Sequence, residues 1–174
     1  TLVVSLLLLA AGTYESRNLL TGDVGTGAPE LRAESRYNRD NDTIIGSYSI
    51  GMDVLSVFVE TSNLEESCLN WQVTNAVERF EARVSRVDGV QSVSTVSGLA
   101  KIAASSNNEG NPRWAALQRT EAALRSGAKA LSPDLGLNTE GCKVINLQVF
   151  LKDHEGATLS HVVGEVRNFI AEDK

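Results

Sequence analysis

Hydrophobic positions along the chain repeat with two different periods. In Met52-Asp53-Val54-Leu55-Ser56-Val57-Phe58-Val59-Glu60, Leu55, Val57 and Val59 fall on one face and Val54, Ser56 and Phe58 on the other, the alternation of a β-strand. After a polar loop at Ser62 to Ser67, Trp71, Val73, Val77, Phe80, Val84 and Val87 recur mostly at steps of three and four. That stripe predicts an amphipathic helix over 69–87, ended by Asp88-Gly89. Val90 to Val96, rich in Val, Ser and Thr, reads as a short strand. Lys143 to Leu151 predicts another strand, with Ile145, Leu147, Val149 and Leu151 alternating against Asn146 and Gln148. Asp153-His154-Glu155-Gly156 breaks it, and Leu159, Val162, Val163, Val166, Phe169 and Ile170 then mark a helix over 157–172.

The weaker stretches lie around these five elements. Asp40 to Tyr48 predicts a short helix, and Leu19 to Arg36, with its glycines, one proline and no period, reads as an extended lead-in. Between 97 and 140, Leu99 to Ala104 and Glu121 to Ala130 look helical, separated by the turn formers Asn107-Asn108-Glu109-Gly110-Asn111-Pro112. The order is therefore β-α-β, a helical insertion, then β-α. The predicted fold class is α+β, a ferredoxin-like sandwich (β-α-β-β-α-β) lacking its last strand. Strands 52–60 and 143–151 would pair antiparallel, with both helices on one face of the sheet. Three divisions follow: 1–18, an apolar segment that reads as the end of a transmembrane helix; 19–49, the lead-in with a short helix; and 50–174, the sandwich with its insertion at 97–140.

Composition narrows the function classes. Of 174 residues, 16 are Lys or Arg and 22 Asp or Glu, a net charge of −6, which argues against a phosphate-neutralising face and hence against nucleic acid as a partner. Hydrophobic residues make up 42% and charged residues 22%, the balance of a globular domain rather than a disordered or multi-span chain. Thr1 to Gly12 departs from that balance, being apolar apart from Thr1 and Ser5. It is too short to span a bilayer by itself, since about 20 residues are needed. Three readings stay open: the end of a transmembrane helix, the tail of a signal peptide, or a buried helix. Tyr14 and Arg17 follow as an interfacial anchor would.

Chemistry-bearing residues are sparse. His154 and His161 stand seven apart beside Asp153 and Glu155, which is not the i, i+4 spacing of a helical metal pair. Gly22-Asp23-Val24-Gly25-Thr26-Gly27 lacks the strand-turn-helix context of a phosphate loop. Trp71 and Trp114 read as packing anchors, and no nucleophile-base constellation is present, so the expectation is no enzyme, no catalytic residue, no metal and no cofactor. Cys68 follows the first strong strand and Cys142 precedes the strand at 143. Antiparallel neighbours put the end of one strand beside the start of the other, so the two cysteines are expected to form a disulfide, which requires an oxidising compartment.

Several segments together resemble one family. They are Gly22-Asp23, Gly27-Ala28-Pro29-Glu30-Leu31-Arg32, Ser35-Arg36-Tyr37-Asn38, Ile50 to Val54, Asn108-Glu109-Gly110-Asn111 with Trp114, and Leu151-Lys152-Asp153-His154. As a set they look like exporters of the resistance-nodulation-division (RND) superfamily, in the hydrophobe/amphiphile efflux branch related to the large mycobacterial membrane proteins. The match covers most of 19–160 and fits best the second extracytoplasmic loop, which follows the seventh transmembrane helix. That family also carries cysteines at the positions of Cys68 and Cys142, and it usually has Pro where this chain has Ala33.

The resemblance implies a porter subdomain on the periplasmic side of an integral protein of the cytoplasmic membrane. Its partners would be the other extracytoplasmic loop and the transmembrane helices of the same polypeptide, its substrate a hydrophobic or amphiphilic molecule. A homo-oligomer of the full-length protein is compatible with it. The alternative is a membrane-tethered binding or sensor domain of similar fold without transport activity.

Overall fold

A computed structural model of the chain describes residues 1–18, 31–32, 34–48, 51, 53–61, 64, 66–128 and 132–173. Strands β1 (Asp53–Glu60), β2 (Val90–Ser94) and β3 (Val144–Leu151) form an antiparallel sheet in the order β1-β3-β2. In the β1–β3 register Asp53 lies opposite Leu151 and Glu60 opposite Val144. β2 pairs with the other edge of β3, with an irregularity between Val90 and Ser92. Parallel strands β1 and β2 are thus separated by β3, a placement that requires the long crossover through α3 (Trp71–Val84).

The alternation in β3 puts Ile145, Leu147, Val149 and Leu151 into the core. Leu55, Val57 and Val59 of β1 back them on the same face. Val77, Phe80 and Val84 of α3 and Val162 and Val166 of α6 (Gly156–Glu172) close over that layer, each buried aliphatic side chain contributing about 1.5–3 kcal/mol. Phe80 meets Phe169 edge to face with ring centroids 5.5 Å apart. The architecture is α+β, with α3 and α6 sharing one core with the sheet.

Helix caps set the boundaries that hydrophobic period alone misplaces. α3 starts at Trp71 because the Asn70 side chain accepts from the N–H groups of Gln72 and Val73, at 2.9 and 3.2 Å. It ends at Val84, and Val87 packs on the core from the turn that follows. Val96, expected at the end of β2, is instead the first residue of α4 (Val96–Ser106). The Thr95 hydroxyl accepts from Gly98 N–H at 2.9 Å, so the strand stops at Ser94 and the helix starts at once. α2 (Arg36–Ser47) begins four residues before the expected Asp40, and Ser35 caps it. In α6, Leu159 and Ile170 belong to the apolar stripe yet are exposed.

Within 97–140, α4 lies against α3, with Ser97 Oγ donating to the Thr74 carbonyl at 3.1 Å. α5 (Glu121–Ala128) packs on α4 so closely that a Cβ at Gly127 would lie 3.1 Å from Ala100 Cβ. α1 (Leu2–Glu15) buries none of its residues. Among the described residues no helix is long and apolar enough to cross a membrane.

Candidate functional site

The end of the sheet where β1 leaves and β3 enters is built from two tight turns. Ser67–Leu69 makes one turn of 3-10 helix, Glu140–Cys142 is a tight turn with Gly141 and Cys142 at positive φ, and Cys68 and Cys142 are joined with Cα atoms 5.7 Å apart. Glu66 and Cys142 both adopt positive φ, 57° and 51°, in the left-handed region that non-glycine residues enter at a cost of order 1–3 kcal/mol. Neighbouring bonds hold them there. Glu66 N–H donates to the Gly141 carbonyl at 3.0 Å, and Thr61 N–H to the Lys143 carbonyl at 3.2 Å. The Thr61 and Ser67 hydroxyls bond each other, and Arg125 of α5 reaches the Glu66 carboxylate at 3.1 Å while also pairing with Glu121. These carboxylate contacts raise the Arg125 pKa, so this cation stays charged throughout the ordinary range.

The residues that carry the family resemblance fall into separate turns. Gly27, Pro29 and Glu30 lie outside the described residues. Leu31 and Tyr37 are exposed, and Arg36 pairs with Asp40 at 3.4 Å on the surface of α2. Ser35 Oγ accepts from Asn38 N–H at 3.2 Å, and Asn38, only 6% exposed, donates its side-chain amide back to the Arg32 carbonyl at 3.1 Å. Ser35 and Asn38 therefore cap a helix and close the turn before it. Gln91 of β2 ties that helix to the sheet, its Nε2 donating to the carbonyls of Ile45 and Tyr48 at 2.8 and 2.7 Å.

Asn108, Glu109, Gly110 and Asn111 form the C-terminal turn of α4. Glu109 and Gly110 have φ of 60° and 73°, Gly110 N–H donates to the Ser105 carbonyl at 2.9 Å, and Asn108 Nδ2 donates to that of Ala104 at 2.8 Å. Asn111 then caps the single turn Pro112–Trp114, which leaves Trp114 half exposed. The bonds of each group close its own turn. Their chemistry is capping.

Titratable side chains elsewhere pair into surface contacts. Arg79 binds Asp173 and Arg83 binds Glu172 between α3 and α6, hydrogen bonds that raise both arginine pKa values. Lys152 lowers the pKa of Asp88, first through its hydrogen bond and then through its charge. His154 Nδ1 lies 2.7 Å from Asp53 Oδ1, and Asp153 accepts from Glu155 N–H at 3.0 Å at the start of α6. Among the described residues no group of three or more His, Cys, Asp or Glu side chains could hold a metal ion.

Two surfaces lie apart from the motif positions. One is α1, apolar on every side and exposed throughout. The other is an apolar groove of about 520 Å³ along β1, roofed by α3 and α6. Only the order of the strands shows that β1 is an edge. No protein-family model, curated protein or solved structure matches the chain.

Proposed function

We propose that the chain is an extracytoplasmic porter domain of a proton-driven RND-type exporter, lining or gating the path of a hydrophobic or amphiphilic molecule. The observation that carries the reading is α1, in which Leu2, Val3, Leu6, Leu7, Leu8 and Leu9 are all well exposed. A patch of that kind marks a surface meant for lipid or other apolar helices. Its 14 residues rise about 21 Å, two thirds of a hydrocarbon core of about 30 Å. The Cys68–Cys142 pair supports a non-cytosolic side, since structural disulfides persist in oxidising compartments. The motifs quoted above supply the exporter family. In this reading the sheet is a ferredoxin-like sandwich short of its fourth strand, and the other extracytoplasmic loop of the same polypeptide is its partner.

The test uses the natural full-length gene, expressed in bacteria deficient in efflux. The expected result is lowered accumulation of a lipophilic fluorescent dye, restored by a protonophore. Unchanged accumulation with the protein present in the membrane would reject the exporter and leave a tethered binding or sensor domain.

A further inference from the structure

Where β2 passes into α4, the chain leaves a cavity of about 300 Å³ between α3, α4 and the loop after Trp114. Its walls are Val93, Leu99, Ile102 and Ala115, and its charged lining residues are Glu81 of α3 and Lys101 of α4. The Glu81 and Lys101 side chains are 23% and 21% exposed, so both charges sit partly out of water. The volume lies at the small end of ligand sites, which run from about 300 to about 1,000 Å³ and combine apolar walls with a few placed polar groups.

The bonds around Glu81 fix which of its oxygens is occupied. The Thr95 hydroxyl, which accepts from Gly98 N–H at 2.9 Å, donates its proton to Glu81 Oε2 at 2.5 Å. That contact holds the carboxylate in one orientation. Lys101 Nζ bonds Glu78 Oε1 at 3.3 Å and stands 3.6 Å from Glu81 Oε1, beyond hydrogen-bond length. Among the described residues Glu81 Oε1 therefore has no hydrogen-bond donor. Two carboxylates against one ammonium also leave this group with a net negative charge.

These features select among occupants. An anion meets the net charge of the group, and a neutral alcohol fills the apolar part but leaves that charge unchanged. An alkylammonium ion supplies both the N–H donor that Oε1 lacks and the missing positive charge, while its tail lies along the apolar walls. Charge-assisted bonds of this kind are about twice as strong as neutral ones. Ile102 is 62% exposed at the rim, where such a tail would cover it.

We propose that this cavity binds a small aliphatic amine as its ammonium ion, with the charge on Glu81 Oε1 and the tail on Val93, Leu99, Ile102 and Ala115. Lys101 is then a competing cation that weakens the site. The inference is independent of the transport reading, since it concerns binding by the 174-residue chain alone.

The experiment is an NMR titration of the isotope-labelled chain at neutral pH with n-hexylammonium chloride, n-hexanol and sodium hexanoate, which share one tail and differ in the head. The ammonium ion should shift the amides of Ser94, Gly98, Leu99, Ile102 and Ala115 saturably. The alcohol and the carboxylate should bind there at least tenfold more weakly. Glu81→Gln, which keeps an acceptor for Thr95 and removes the charge, should weaken the ammonium ion at least tenfold. Lys101→Met should tighten it at least threefold, the opposite of what loss of a merely structural ion pair would do. If either variant does not fold, the three ligands on the wild-type chain carry the same test. Equal binding of the alcohol would show an apolar cavity without head-group recognition and would overturn the proposal. So would tighter binding of hexanoate, weaker binding of the ammonium ion to Lys101→Met, or shifts confined to the exposed α1 with none at the cavity.

Discussion

Replacing both cysteines, Cys68→Ala with Cys142→Ala, removes a bridge between residues 74 apart in sequence. The contacts that bring those two turns together are independent of the sulfurs, since Glu66 N–H still reaches Gly141 and Thr61 N–H still reaches Lys143. The native geometry should survive, and the loss should lie in the unfolded chain, which gains the freedom of an open loop. In the chain-entropy relation a loop of this length is worth about 15 cal/mol/K, or about 4.5 kcal/mol at 25 °C. Engineered and native bridges deliver about 2–5 kcal/mol against such figures.

Cys68 is buried and touches the core, so its truncation adds a small cavity cost in the same direction. For a chain of this size each kcal/mol moves the melting temperature by about 2–4 °C, and the double variant should melt about 10–15 °C lower. Urea denaturation of oxidised wild type, reduced wild type and the double variant measures it. The variant should have its midpoint slightly below that of the reduced protein, by the cavity cost at Cys68, and both should show a larger m than the oxidised protein, because an uncrosslinked chain exposes more surface. A double variant within about 1 kcal/mol of oxidised wild type would refute the reasoning, and so would a large loss with unchanged m. In that last case the bridge would be holding the native turns and not restricting the unfolded chain.

Two further substitutions probe other joints of the fold. Gln91→Ala should detach α2 from β2, raising the exchange rates of the α2 amides at least tenfold while lowering global stability by only about 1–3 kcal/mol, because two carbonyls lose their donor; unchanged α2 exchange would mean that the helix is held by other contacts. Gly89→Ala should cost about 2–3 kcal/mol, because Gly89 has φ of 90° and a Cβ there would lie 2.6 Å from Thr158 Cγ2; Thr158→Ser, which deletes that methyl, should recover the steric part alone, and full recovery would show that backbone strain contributes nothing.

The elements with strong period were readable in advance because their pattern and their burial coincide. In β3 the same side chains that alternate in the sequence are the buried ones, and in α3 the stripe Val77, Phe80, Val84 is the core face. The boundaries were less legible because capping competes with propensity. Val90 to Val96 has the β-branched composition of a strand, yet one hydroxyl, Thr95 Oγ on Gly98 N–H, ends the strand and starts a helix. The start of α2 was hidden for a related reason. Its buried residues are Asn38 and Asn41, so the helix has no apolar stripe to find, and only Ser35 with Asn38 marks its beginning.

The groove beside β1 could not be read from the sequence at all, and the reason is general. Periodicity assigns a residue to a face, whereas burial depends on what lies across that face. Ile170 belongs to the same stripe as Val162 and Val166, which are buried, but lines the groove beside β1 and is 60% exposed. Phe58, by contrast, lies on the face of β1 turned away from Leu55, Val57 and Val59, and is exposed there as its period dictates. A large apolar side chain that keeps the period of the core but not its burial therefore points to a missing neighbour.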